Sequence, residues 1–253
     1  MLLLALVGTL PAFAAMRAVA RFDRRRPEPR APLRKLTLLG ALATLPCVGL
    51  EMLLVPQAEQ MPPLTGALYR GFAVAALVEE LAKAACLAFF LRRERVPGRL
   101  DAIVDGARVG LGFALGENVL WLLRPGGPMG GAASTATGAF GVLAVRAALT
   151  IPLHGVCGAA MGYFVARRRF DGRGPGLVGG ALVAIVVHGS FDACLFALPW
   201  AGTVAPQWAA VLATTPLLLV VFGVRILRRR ARDALVIDRR GVLTRVGSDR
   251  SLG

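Results

Sequence analysis

From end to end the chain alternates apolar runs with short connections crowded with arginine. Each run is roughly 20 residues long, the length an α-helix needs to cross a hydrocarbon core about 30 Å thick at about 1.5 Å per residue. No water is available there to satisfy a backbone amide, so a chain built from such runs folds as spanning helices. Seven spans are expected, at about 1–20, 36–55, 66–91, 102–123, 138–166, 175–198 and 207–227. The expected fold is all-α: a polytopic membrane domain over 1–227, with a short basic tail over 228–253.

The arginines set the orientation. The segments "RFDRRRPEPRAPLRK", "RRERVPGR" and "RRRFDGRG" and the tail from Arg228 hold nearly all of them, whereas "PQAEQMPP", "RPGGPMGG" and "PWAGTVAPQ" hold only Arg124. Basic connections stay on the cytoplasmic side, which puts the N-terminus outside and the C-terminus in the cytoplasm. A net charge of +15 distributed this way describes topology, and no nucleic-acid partner is implied. The first run ends in an alanine-rich stretch that resembles a cleavage site. It lacks a basic leader, and its removal would strand Arg21 to Arg26 on the wrong side, so a retained helix is expected. Cys47, Cys86, Cys157 and Cys194 all lie in apolar runs without a CxxC pair and read as packing residues. Arginine in place of lysine suggests a GC-rich bacterial source, and hence the cell's inner (cytoplasmic) membrane.

Four of the spans nevertheless hold two or more ionisable residues each. The third holds Glu79, Glu80 and Lys83, the fourth Asp105, Arg108 and Glu117, the fifth Arg146 and His154, and the sixth His188 and Asp192. One charge at the bilayer centre costs about 2.5–3.5 kcal/mol on insertion scales, so these groups must face one another or water. Glu79, Glu80, His154 and His188 fall near mid-span, with Glu117 and Asp192 about a turn nearer the outer face. Lys83 follows Glu79 by four residues and Glu80 by three, which lets it neutralise one carboxylate and leave the other available. His188 and Asp192 share a face at i,i+4, as do Phe113 and Glu117, with Asn118 beside them. Gly158 and Gly162 form a small-residue stripe that lets a neighbouring helix approach. Asp105, Arg108 and Arg146 read as structural, boundary or snorkelling charges.

The quoted segments "EELAK", "FALGEN", "HGVCG" and "HGSFD" resemble, in this order, the four motifs of the PrsW family of intramembrane proteases, distantly similar to the CAAX prenyl endopeptidase family. The resemblance covers about 66–198 and implies hydrolysis of a peptide bond in a single-pass membrane protein, an anti-sigma factor in the best-known relatives. Peptide hydrolysis needs a base for water, a group to polarise the carbonyl and an acid for the leaving amine. Glu79 is expected as the base, with Glu80 held by Lys83 as electrostatic support. His154 would bind the same water or protonate the amine, while His188, Asp192 and Asn118 stabilise the oxyanion. No cofactor is required by this scheme, although His154, His188 and Glu117 would make a minimal zinc set. Two other classes share these features: a proton-coupled transporter, which would show inverted repeats, and a non-catalytic scaffold for a transmembrane partner, which would need no water at the polar layer.

Overall fold

The computed structural model describes residues 2–23, 30–93, 96–123 and 136–250. Parts of the arginine-rich connections (24–29 and 94–95), the 124–135 connection with Arg124, and the final residues 251–253 of the tail lie outside the described residues. Among the described residues every regular element is helical. Helix α1 (Leu2–Ala20) runs into a 3₁₀ turn at Arg21–Asp23, and α2 (Arg30–Glu59) follows. Next, α3 (Pro63–Tyr69) passes through a π-helical stretch, Arg70–Ala76, into α4 (Leu77–Arg93), and α5 spans Arg99–Leu123. Likewise α6 (Ala136–Val145) passes through a second π-helical stretch, Arg146–Thr150, into α7 (Ile151–Asp171). Helices α8 (Gly176–Val204) and α9 (Pro206–Arg250) complete the bundle, the latter carrying the last apolar run unbroken into the basic tail.

Among the described residues, five helical stretches are long and apolar enough to cross a membrane: Leu3–Ala20, Ala31–Glu59, Gly138–Asp171, Gly176–Val204 and Pro206–Arg239. Large apolar side chains face outward, among them Leu38, Leu42, Met52 and Leu53 on α2 and Val178, Leu182 and Val186 on α8. A water-soluble bundle would not present such a surface, whereas lipid tails cover it without cost. The chain is a multi-pass membrane protein. The expected spans at 66–91 and 102–123 do not join the five, because Glu79, Glu80 and Lys83 on α4 and Asp105, Arg108 and Glu117 on α5 are too many charges for a lipid-facing helix.

Helix α5 carries its charges because it is the central helix, packed by α1, α2, α4, α7 and α9. Its contact with α7 is backbone on backbone. A Cβ on Gly106 would strike the Gly158 carbonyl, one on Gly162 the Ala102 carbonyl, and one on Gly110 the carbonyl of His154 itself. The stripe expected on α7 thus meets a matching one on α5, and together they draw Glu117 alongside His154. On the other side, a Cβ on Gly71 in the first π-helical stretch would lie 2.8 Å from the Gly189 carbonyl, next to His188. Close approach at these two seams brings the polar faces of four helices together.

Candidate active site

Glu79 and Glu80 occupy the first turn of α4, immediately after the π-helical stretch, and His154 lies one turn past the second such stretch. π-helical turns are rare and concentrate at functional sites. Here each turn widens the helix just before a motif residue and resets the face that later side chains present.

Lys83 is the centre of the cluster. Its Nζ donates to Glu80 Oε1 at 2.7 Å and to Glu79 Oε2 at 3.1 Å, and it meets His154 Nδ1 at 2.8 Å. It also stands over the Phe113 ring, 4.0 Å from the centroid. Because an ammonium only donates, His154 Nδ1 accepts, which leaves Nε2–H to donate to Glu117 Oε2 at 2.9 Å. His188 lies between two carboxylates, Nδ1 at 2.7 Å from Glu80 Oε1 and Nε2 at 3.2 Å from Asp192 Oδ2. The two imidazoles meet edge to face with centroids 5.1 Å apart. Each therefore turns Nδ1 inward and has Nε2 braced by an outer carboxylate, Glu117 for one and Asp192 for the other.

Burial grades across the site. The side chains of Lys83 and Glu80 are fully buried, while Glu79 keeps 8%, Asp192 18% and Glu117 27% of its exposure. The cluster is open on the Glu117 and Asp192 side, and Glu79 is the more accessible of the adjacent acids. One atom stands out: Glu80 Oε2 is buried without a hydrogen-bond partner. An orphaned carboxylate oxygen in a dry interior is costly and marks a place for a further ligand.

The spacing arguments singled out Glu79, Glu80, Lys83, Glu117, His154, His188 and Asp192, and all seven converge here. Asn118 takes a different position from the one expected, away from His188. Its Nδ2 donates to the Gly8 carbonyl of α1 at 2.7 Å, and its Oδ1 accepts from Arg146 Nε at 2.6 Å. Arg146, read from sequence as structural, reaches Glu117 Oε1 at 2.8 Å and so belongs to the site. No signal in the linear spacing reveals this, because Arg146 opens the π-helical stretch. Asp105 and Arg108 stay at least about 13 Å from Glu117 along α5. The four cysteines are free, and the Cys157 thiol points at the Ala184 carbonyl, 3.8 Å away, as a packing group would.

Glu79, Glu80, His154 and His188 each offer a ligand atom, and these atoms lie within 4.8 Å of one another. Glu117 is outside this group and acts on it through His154. A family model described as PrsW family intramembrane metalloprotease matches residues 28–222. The protease PrsW of Clostridioides difficile is 29% identical over 212 residues, which are 82% of each chain. That of Geobacillus kaustophilus is 28% identical over 193 residues, 75% of this chain and 78% of its own. That of Bacillus subtilis is 37% identical over 101 residues, 39% of this chain and 40% of its own. No solved structure matches the chain.

Proposed function

The chain belongs to the PrsW family of intramembrane metalloproteases and is a peptidase, and from that premise we propose that it cuts a single-pass membrane protein at the layer of Glu79, Glu80, His154 and His188. The substrate class inferred from the family resemblance is an anti-sigma factor, cut on its extracytoplasmic side as the first step of a cascade. The proposed topology has seven crossings of the cell's inner membrane, N-terminus outside and tail in the cytoplasm. In this arrangement α5 crosses inside the bundle, while α4 turns Glu79, Glu80 and Lys83 inward and Leu77, Leu81 and Phe89 outward.

The observation that carries the reading is the paired bracing of the two imidazoles, Nε2 of each on an outer carboxylate, in a cluster where one Glu80 oxygen has no hydrogen-bond partner. The donor set is of the kind that holds a divalent metal, with the Lys83 ammonium now on the His154 Nδ1 lone pair that the ion would take. Two Nδ1 atoms and two carboxylates face inward, and the far nitrogens donate to Glu117 and Asp192, the outer arrangement that orients histidine ligands. Glu79, Glu80, Glu117 and Asp192 against Lys83 and Arg146 leave a formal charge of minus two, and Glu51 adds a further carboxyl within electrostatic reach of Glu79 and Glu117. Glu79, Glu80, His154 and His188 would hold the ion, with Glu117 supporting it from outside. When bound, the ion would supply Lewis acidity to a water and to the scissile carbonyl.

The remaining work falls to the chain. Glu79, on the accessible side, takes the water proton at Oε2. The same Glu79 carboxyl gives that proton to the leaving amine, while His154 stays oriented by its Nε2–H on Glu117, which Arg146 holds in place. Phe113 shields Lys83 and His154 and keeps the electrostatics strong by excluding water. Comparative proteomics of wild-type and Glu79→Gln cells tests the reading. A single-pass membrane protein should accumulate uncut in the variant, and an unchanged cleavage pattern with normally expressed variant would refute the assignment.

A further inference from the structure

Between α1 and α9 the bundle leaves a groove of about 490 Å³, floored by α5 and α7. Its walls are apolar, with Val19, Val104, Val156 and Val224 representative, and the charged groups lining it are Arg225 and Arg228 of α9. Both arginines are exposed. Arg99, by contrast, is engaged by Asp171 and Asp238 nearby. Across the groove, Arg17 in the last turn of α1 and Arg21 just beyond its end are also exposed.

Size decides between a protein and a lipid occupant. A helix about 10 Å across fills about 420 Å³ per turn of 5.4 Å, so the groove holds little more than one turn, against more than five in a transmembrane segment. Its lining runs from Leu100 to Leu111 on α5 and from Val220 to Ala231 on α9. That length is about 16 Å, close to the hydrocarbon depth of one leaflet, about 15 Å. An acyl chain matches the volume, the length and the apolar wall, and guanidinium forks match a phosphate.

We propose that this groove binds one anionic membrane phospholipid, an acyl chain lying between α1 and α9 and the phosphate on Arg225 and Arg228. The deep wall of the groove includes Pro152 and Gly155, which flank His154 in sequence. The lipid chain therefore packs against the back of the helix that carries His154, independently of whether a metal is bound at its front.

Native mass spectrometry of the full-length protein in detergent, with phosphatidylglycerol or phosphatidylcholine added, tests the site. One phosphatidylglycerol should be retained in preference to phosphatidylcholine. Arg225→Gln with Arg228→Gln should weaken its retention about thirtyfold, as expected for two interfacial charges. Arg229→Gln with Arg232→Gln removes the same charge from the same helix away from the groove and should change little. Ala18→Trp, at the exposed rim of the groove, should displace the lipid with all arginines present, and it keeps the test decisive should the arginine variant fold poorly. Equal retention of the two lipids, or equal weakening by the two arginine pairs, would mean interfacial charge without a site. Undiminished binding to Ala18→Trp would also overturn the proposal.

Discussion

In the core, Lys83 holds Glu79 and Glu80 with its own side chain fully buried, whereas at the end of α5 Arg99 holds Asp171 and Asp238 with 23% of its side chain exposed. Arg99 donates to Asp171 Oδ1 through Nε at 3.0 Å and Nη2 at 2.7 Å, and Asp238 also caps the Leu100 amide at 3.0 Å. That network ties α5, α7 and α9 together where solvent screens it, and pairs of this kind contribute little to stability. The heart of the core network, Lys83 with Glu80, has no such screening. Each member depends on the next, and losing one leaves an uncompensated charge in a dry interior. Similar bond lengths therefore carry different consequences, and burial distinguishes the functional network from the fastening one.

The sharpest way to break this contrast is Glu80→Gln. It leaves Lys83 and His188 without their shared carboxylate and should destabilise the protein by about 3–5 kcal/mol, read as a fall in the thermal midpoint in detergent. A loss as small as that of an exposed pair would mean that water fills the core. Next in size, Arg146→Gln should lower peptidase activity about 10–100-fold, the usual cost of losing an outer support. Because His154 and His188 are the only histidines, nitrogen-15 histidine NMR resolves them. The His154 resonances should move and those of His188 should stay, and Arg146→Lys should restore part of both signal and activity.

Lys83→Met sharpens the comparison from another direction. The ammonium stands among the same groups that would hold a divalent ion, within 3.1 Å of three of them. Two cations a few Å apart repel by several kcal/mol even at an effective dielectric near 20. Zinc affinity of the variant, measured by calorimetry and metal content, should therefore rise about tenfold or more. Unchanged affinity would place the ion elsewhere, and no uptake by either protein would remove the metal from the reading. The smallest effect belongs to the periphery: Arg99→Gln should cost at most about 1 kcal/mol, less at high salt, with activity unaffected.

How much could be read from the linear chain follows the same division. Residues spaced three and four apart within one straight α-helix, such as Glu80 with Lys83 and His188 with Asp192, declare their shared face, and their partners on other helices follow from the high cost of leaving them alone in lipid. The small-residue stripe at Gly158 and Gly162 likewise announced a close neighbour, though not that the neighbour would be α5 with its own stripe at Ala102, Gly106 and Gly110. What stayed hidden depends on departures from the ideal helix or on pairings far apart in sequence. Arg146 reads as a boundary charge until the π-helical stretch turns it toward Glu117. Asn118 reads as a neighbour of His188 until α1, 110 residues away, offers the Gly8 carbonyl.

The π-helical stretches at Arg70–Ala76 and Arg146–Thr150 bear on how relatives of this chain should be judged. A single-residue deletion in either that restored an ordinary α-helix would remove the extra residue the wide turn absorbs and leave the faces on either side in register. The hydropathy profile and every motif letter would survive, and only the local widening beside Glu79 or His154 would be lost. Homologues that keep "EELAK" or "HGVCG" but differ in length just upstream should therefore be sorted first by that spacing, which tells whether the wide turn is kept.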